Sequence, residues 1–149
     1  ARAVDVPLMA DESAWTPRDV LHLWAAGAAR YVSLYVTKPG GLYPARQMAA
    51  VVEAAGMEAD LGGSLEFGIG NAANLHLAAA SPAVTVPAII PVTTVAGKEQ
   101  TQIAGRTYTD DIVVEPFEYR EGALRVPSGP GLGITVDPDK LARYRVPWE

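Results

Sequence analysis

Three polar side chains follow short apolar segments at regular intervals along the chain: Asp11, Tyr35 and Glu66. The intervals are 24 and 31 residues, close to the roughly 30 residues of one strand-plus-helix unit. Parallel strands joined by such units end at the same edge of a sheet. The spacing therefore predicts that the three side chains share one rim, where a carboxylate offers the hard oxygen donor that magnesium prefers.

Composition narrows the chemistry that such a rim can perform. The 149 residues are 49% hydrophobic and 19% charged, with a net charge of −5, which argues against both disorder and nucleic-acid binding. The absence of cysteine excludes disulfides, thiolate metal sites and cysteine nucleophiles. Only two histidines are present, His22 and His76. Any metal would therefore be held by oxygen, which favours magnesium or manganese over zinc.

Two further expectations concern the setting of the chain. No apolar run approaches the roughly 20 residues of a membrane span, and no signal peptide is evident, so a cytoplasmic location is the default expectation. The chain begins at Ala1 without a methionine and is already in an apolar segment by Val6. We expect it to begin in the middle of a domain.

Residues 1–91 alternate strand and helix patterns. The predicted strands are Val6–Asp11, Tyr31–Val36, Met57–Leu61 and Ala83–Ile90, the last interrupted by Pro87. The predicted helices begin at Thr16-Pro17, at about Tyr43 and at Asn71. Four such units predict a parallel α/β sheet, either an open sheet or half of an eight-stranded barrel. An open nucleotide-binding sheet would need a glycine-rich phosphate loop after the first strand, and none is present, so the half-barrel is favoured.

The remaining residues do not continue this alternation. Residues 92–111 are predicted to form a long loop, and residues 112–149 a hairpin and tail. The hairpin is expected to turn at Glu121-Gly122, and Asp137-Pro138 to cap a last helix over Lys140–Tyr144.

Four segments, in order, resemble the C-terminal half of the enolase superfamily. They are MADES (Met9–Ser13), YVTKPGGL (Tyr35–Leu42), SLEFGIGNAANLHLAAA (Ser64–Ala80) and DDIVVEPFEYREGALRVPSGPGLGITVD (Asp110–Asp137). The muconate lactonizing enzymes are the most similar subgroup, followed by the mandelate racemases. The resemblance implies the C-terminal half of a TIM-like (β/α) barrel, with a C-terminal hairpin that returns to a missing α+β capping domain.

The resemblance also implies a reaction. Such enzymes use a divalent metal, usually magnesium, to hold a substrate carboxylate while a base removes the neighbouring proton, and the metal stabilises the enolate. Muconate cycloisomerase chemistry is the first expectation. Epimerases or racemases and acid-sugar dehydratases share the same intermediate. A non-catalytic binding or structural subunit is the alternative from another class.

The resemblance assigns the carboxylates of the site. Asp11 matches a metal ligand, although it could instead be a surface acid or cap of the following helix. Glu12 beside it could orient the site, pair with a cation or have only a structural role. Glu66 matches an acid that could donate a proton or hold a charged partner, although a carboxylate ahead of a helix is also favoured by the helix dipole.

Tyr35 departs from the family pattern. The muconate group has a lysine at this position, three residues before a second lysine, and the racemase group has an aspartate paired with a histidine. Tyr35 could act as base or hydrogen-bond donor, or merely fill the mouth of the barrel. Lys38 keeps the second lysine position and either supports the site electrostatically or is a solvated lysine. Tyr35, Glu66 and Lys38 are therefore the candidate catalytic residues.

The expected partners are a small-molecule carboxylate substrate and the rest of the barrel, supplied by the missing N-terminal half or by a complementary chain. A homo-oligomer is also expected, whereas nucleic acid and membrane are not. A half-barrel leaves two sheet edges exposed, so the chain alone should be poorly stable. His76 is predicted to be a core helix residue, and His22 a surface one.

Overall fold

A computed structural model describes residues 3–64, 66–90, 102–103, 106–107 and 110–147. The chain divides into two compact units. The first unit comprises Ala1–Ser64 and His76–Ile90, and the second comprises Leu65–Leu75 and Pro91–Glu149. The boundary between them runs through one helix. The division into 1–91, 92–111 and 112–149 stays a prediction.

The first unit contains a three-stranded parallel sheet in the order β1-β2-β3. Its strands are β1 (Met9–Ala10), β2 (Tyr31–Leu34) and β3 (Glu58–Leu61). Helix α1 (Pro17–Ala25) follows β1, and helix α2 (Leu42–Ala54) follows β2. Helix α3 (Gly68–Ala79) follows β3 and crosses the boundary between the units. The predicted alternation and the parallel pairing are confirmed for these three strands.

The predicted fourth strand is wrong as an extended strand. Ala83–Ile90 forms an isolated parallel bridge, between Val84 and Ala59, and Ile89 N donates to the backbone oxygen of Leu61 at 2.9 Å. Backbone bonds from Ala59 N to Ala83 O and from Thr85 N to Ala59 O support the bridge. Pro87 lies inside the segment and has no N–H to donate to a ladder, which explains why regular pairing is interrupted between Val84 and Ile89.

Local sequence signals set the start of α1. The Thr16 side chain accepts from Asp19 N, and the Asp19 side chain accepts from Thr16 N, so the two residues form a capping box. Pro17 occupies the first helical position, where its missing N–H has no consequence. The predicted helix start is confirmed.

Helices cover one face of the parallel sheet. Val32, Leu34 and Ala59 lie in one apolar cluster with residues of the helices. The helical members of this cluster are Val20, Met48, Ala49 and Val52. Because side chains alternate across a strand, Ser33 and Asp60 belong to the opposite face. The first unit therefore has an apolar face under its helices and a polar face that carries the candidate site.

The second unit is built from short pairs. Strands β4 (Gln102–Ile103) and β5 (Arg106–Thr107) pair antiparallel. They lie within the stretch predicted to be a long loop, so that prediction is wrong for these four residues, and the rest of it lies largely outside the described residues. Strands β6 (Tyr119–Arg120) and β7 (Ala123–Leu124) form a short hairpin at the predicted turn.

The hairpin turn and the last helix follow their sequence signals. Glu121 and Gly122 have φ values of 53° and 81°, as a two-residue turn between twisted strands requires. Helix α4 (Pro138–Tyr144) begins after Asp137, whose side chain accepts from the backbone N–H groups of Asp139 and Lys140. Both predictions are confirmed.

None of the helices in the described ranges combines the length and the apolar character that a membrane span needs.

Candidate active site

Three polar residues lie at one level of the parallel sheet. Ser33 and Asp60 are register partners on β2 and β3. Asp11 directly follows Ala10, the register partner of Val32, and is therefore level with Ser33. Tyr35 comes two residues later, just beyond the end of β2, and belongs to the same face as Ser33. The first unit thus presents polar side chains at the carboxyl end of its strands, as the spacing predicts for Asp11 and Tyr35.

Lys38 is a fully buried cation, with 0% of its side chain exposed. Its Nζ donates to the backbone oxygen of Asp11 at 2.8 Å, to Asp11 Oδ1 at 3.1 Å and to the backbone oxygen of Ser33 at 2.8 Å. An ammonium group has three protons, and these three acceptors use them all. The interpretation of Lys38 as a solvated lysine is wrong, because the ammonium ties the end of β1 to β2.

Tyr35 lies between this cation and an acid. Its hydroxyl donates to Glu12 Oε1 at 3.2 Å, and its ring centroid is 4.6 Å from Lys38 Nζ, within cation–π range. Only 7% of Tyr35 is exposed. Glycine at position 62 makes room for the ring. A Cβ there would lie 3.3 Å from Tyr35 Cδ1 and 2.5 Å from Ser33 Oγ. Asp11, Glu12, Tyr35 and Lys38 are therefore brought together.

Asp60 is a further acid on this face that the sequence analysis did not single out. It is 7% exposed, and its Oδ1 has no hydrogen-bond partner in the described part of the chain. Burial raises the pKa of its carboxyl; the hydrogen bond from Ser33 opposes this, and the negative charge of Asp11 adds to it. The available signal was an acid at an inner position of a short apolar strand, EADL.

The described residues can supply one ligand of a magnesium site. Asp11 offers a carboxylate on a side chain that is 55% exposed, and carboxylate oxygens are the ligands magnesium prefers. No group of three histidine or acidic side chains within the described ranges is arranged to hold a metal. A metal at Asp11 would need further ligands from elsewhere in the protein.

Glu66 belongs to the second unit. It is 7% exposed and lies two residues before α3, which begins at Gly68 rather than at the predicted Asn71. Its position on one rim with Asp11 and Tyr35 stays a prediction. The two histidines are both helical: His22 is exposed on α1, as predicted, and His76 is partly buried on α3.

Comparison with known proteins identifies the class. The family model described as enolase C-terminal domain-like matches residues 1–140. Muconate cycloisomerase 1 of Rhodococcus opacus is 36% identical over 144 residues, which are 96% of this chain and 35% of that protein. N-succinylamino acid racemase of Amycolatopsis sp. is 35% identical over 141 residues, covering 95% of this chain and 35% of the racemase.

A solved structure extends the comparison to the fold. The 2-chloromuconate cycloisomerase of Rhodococcus opacus 1CP superposes with a TM-score of 0.82 at 29% identity, covering 98% of this chain and 36% of that one. The chain belongs to the enolase superfamily, in the mandelate racemase and muconate lactonizing enzyme family. Its fold is the C-terminal half of a (β/α) barrel, and it spans about a third of the length of these relatives.

Proposed function

We propose that the chain is the C-terminal part of a metal-dependent enzyme that forms an enolate from a carboxylate substrate, with muconate cycloisomerase as the most similar activity. The observation that carries this proposal is the buried ammonium of Lys38, bonded to Asp11 and placed under the ring of Tyr35. Burying an ammonium is costly unless it is paired. Its presence at the strand ends supports a site built to manage negative charge.

Asp11 is the residue of this chain that would hold the metal, which is magnesium or, alternatively, manganese. The bound metal supplies Lewis-acid stabilisation of the substrate carboxylate and of the enolate derived from it. Lys38 keeps the Asp11 backbone and one carboxylate oxygen in place. The remaining ligands, and the substrate contacts that set specificity, would come from the rest of the protein or from a second subunit.

Tyr35 supplies the polar hydrogen at the position where the muconate group carries a lysine. Its hydroxyl donates to Glu12 Oε1, so the phenol and this acid form a short path along which a proton could pass. A phenol has an ordinary pKa of about 10, near the roughly 10.4 of a lysine amine. Tyr35 is therefore proposed as the acid–base group of this chain, with Glu66 as a proton donor.

Deuterium exchange tests the proposal. The full-length protein is incubated with magnesium and a panel of carboxylic acids in deuterated water, and exchange at the carbon next to the carboxylate is followed by NMR. Tyr35→Phe should reduce exchange by about 10²–10⁴-fold, the usual contribution of a general acid–base group. Tyr43→Phe is the matched control, because Tyr43 is 71% exposed on α2 and its hydroxyl only accepts from Gln47.

The opposite result would locate the chemistry elsewhere. Equal exchange in Tyr35→Phe and Tyr43→Phe means that Tyr35 is not the acid–base group. Tyr35→Lys gives a second test. Lys38 would lie close to the new amine, and the positive charge of Lys38 would lower the pKa of that amine toward neutrality. Increased exchange in Tyr35→Lys would support an intact catalytic framework.

A binding or structural subunit is the second candidate function. One observation favours it: the ammonium of Lys38 is committed to three acceptors, and the Tyr35 hydroxyl is bonded to Glu12. Absence of exchange in the native protein and in Tyr35→Lys, with a broad panel of acids, would favour this candidate over the enzyme.

A further inference from the structure

The first turn of helix α3 is capped by a side chain from a distant part of the sequence. The residue before Gly68 is Phe67, whose side chain cannot accept a hydrogen bond. Asp111, 43 residues later, takes this role: its Oδ1 accepts from Gly68 N at 2.8 Å. The same oxygen accepts from Ile112 N at 2.6 Å. The first N–H groups of a helix have no partner inside the helix, and a carboxylate is favoured at that end.

The approach of Asp111 to the helix depends on glycine at position 68. A Cβ at Gly68 would lie 3.0 Å from Asp111 Oδ1, and 2.6 Å and 2.9 Å from the two methyl carbons of Val113. Contacts under 3.0 Å require a neighbour to move. The segment that carries Asp111 and Val113 therefore packs directly on the first turn of α3.

The same turn holds Glu66. A Cβ at Gly70 would be 2.7 Å from both Cβ and Cγ of Glu66, so the Glu66 side chain lies directly against this glycine. The Asn71 side chain donates from Nδ2 to the backbone oxygen of Glu66 at 2.9 Å. Glu66 is therefore fixed to residues of the turn that Asp111 caps.

Asp111 is costly to bury. The residue is 2% exposed, and its Oδ2 has no hydrogen-bond partner among the residues that the structure describes. A buried carboxylate oxygen without a partner is unusual and calls for an explanation. We propose that Asp111 is a positioning residue: it fixes the first turn of α3 and, through that turn, the orientation of Glu66. The proposal rests on the role given to Glu66 above.

Kinetics of the full-length protein test the proposal. Asp111→Ala should lower kcat for exchange by about 10²-fold, the effect of a small displacement of a catalytic group. The change should appear in kcat more than in KM. Asp111→Asn keeps an acceptor for Gly68 N and should recover most of the activity. Asp137→Ala is the matched control, because it also removes a capping carboxylate, but from α4.

A second readout does not depend on activity. The carboxyl carbon resonance of Glu66, assigned by its loss in Glu66→Gln, should shift in Asp111→Ala and stay in place in Asp137→Ala. An unmoved resonance, or kcat unchanged in Asp111→Ala, overturns the positioning role. If Glu66→Gln itself leaves kcat unchanged, the catalytic role of Glu66 fails, and the resonance alone decides whether Asp111 orients it.

Discussion

Helices α1 and α3 are capped in different ways in the two units of the chain. In the first unit, α1 is capped by Thr16 and Asp19, three residues apart. In the second unit, α3 is capped by a residue 43 positions away, and Tyr144 bonds Asp110 across 34 positions. The first turn of α1 is therefore fixed by sequence neighbours, whereas the first turn of α3 and the position of Tyr144 depend on side chains that meet only after folding.

An acid in each unit has a shifted pKa, and the two pKa values are shifted in opposite directions. Burial raises the pKa of Asp60 in the first unit. In the second unit, hydrogen bonds from Lys140, from the Asp111 backbone and from Tyr144 lower the pKa of Asp110 to about 2. The Asp60 carboxyl is removed from water without gaining enough hydrogen-bond partners. The Asp110 carboxyl gains hydrogen-bond partners near the surface. The two carboxyls should therefore respond to pH in opposite directions.

The largest expected effect concerns Lys38. Lys38→Met removes a buried ammonium and leaves the backbone oxygens of Asp11 and Ser33 without their donor. Loss of one partner from a buried ion pair costs about 3–5 kcal/mol, and the partial exposure of Asp11 reduces this to about 2–4 kcal/mol. Denaturant unfolding of the full-length protein measures the change.

Arg30→Met is the control for Lys38. Arg30 also pairs with an acid, Glu58, but its side chain is 62% exposed, so its loss should matter far less. Equal destabilisation by the two substitutions would show that burial of Lys38 contributes nothing.

An intermediate effect is expected at Gly68. Replacing a helical glycine with alanine normally stabilises a helix by up to about 1 kcal/mol. Gly68→Ala should instead destabilise the protein by about 1–3 kcal/mol, because the new methyl group meets Val113 and Asp111. Thermal unfolding gives the sign of the change. A raised melting temperature would mean that the contact across 43 residues does not constrain the second unit.

The smallest effect concerns Asp110 and pH. Its folded-state pKa of about 2 lies below the ordinary value of 3.8, so its stabilising contribution is complete above pH 4. That contribution is lost as pH falls from about 4 through about 2. Asp110→Asn should flatten the acid limb of the stability–pH profile in this window. The effect is small because the ion pair lies near the surface.

Asp60→Asn is the contrasting variant for that measurement. Because its pKa is raised, Asp60 destabilises the folded protein once pH exceeds the ordinary value of the carboxyl. Asp60→Asn should therefore stabilise the protein at neutral pH and lose this advantage in acid. Profiles that change in the same direction for both variants would contradict the contrast between the units.

The contrast also explains what the sequence could predict. The parallel strands, the helix start at Thr16-Pro17 and the Glu121-Gly122 turn follow from local patterns, and all three were expected. The segment Ala83–Ile90 was expected to be a strand interrupted by Pro87, and it forms a bridge at Val84 and a bond from Ile89 N to Leu61 O. Apolar content alone does not reveal how far such pairing extends. Burial of Lys38 was missed, because two of its three acceptors are backbone oxygens that no side-chain pattern displays.

Asp60 and Asp111 illustrate what sequence patterns could not predict. Each is an acid surrounded in the sequence by ordinary residues, and only the fold reveals that one is buried in a strand and the other caps a distant helix. For the candidate site, spacing and family resemblance led to Asp11 and Tyr35. The partners that hold these residues required coordinates.

The three bonds of Lys38 also bear on how this site could change over time. Its acceptors are Asp11 and the backbone of β2, so none of these three hydrogen bonds uses the side chain at position 35, although the Tyr35 ring lies within cation–π range of Nζ. A substitution at that position can alter the reacting group while the charge beneath it stays where it is. Position 35 is thus a place where a lineage could exchange one chemistry for another without rebuilding the sheet.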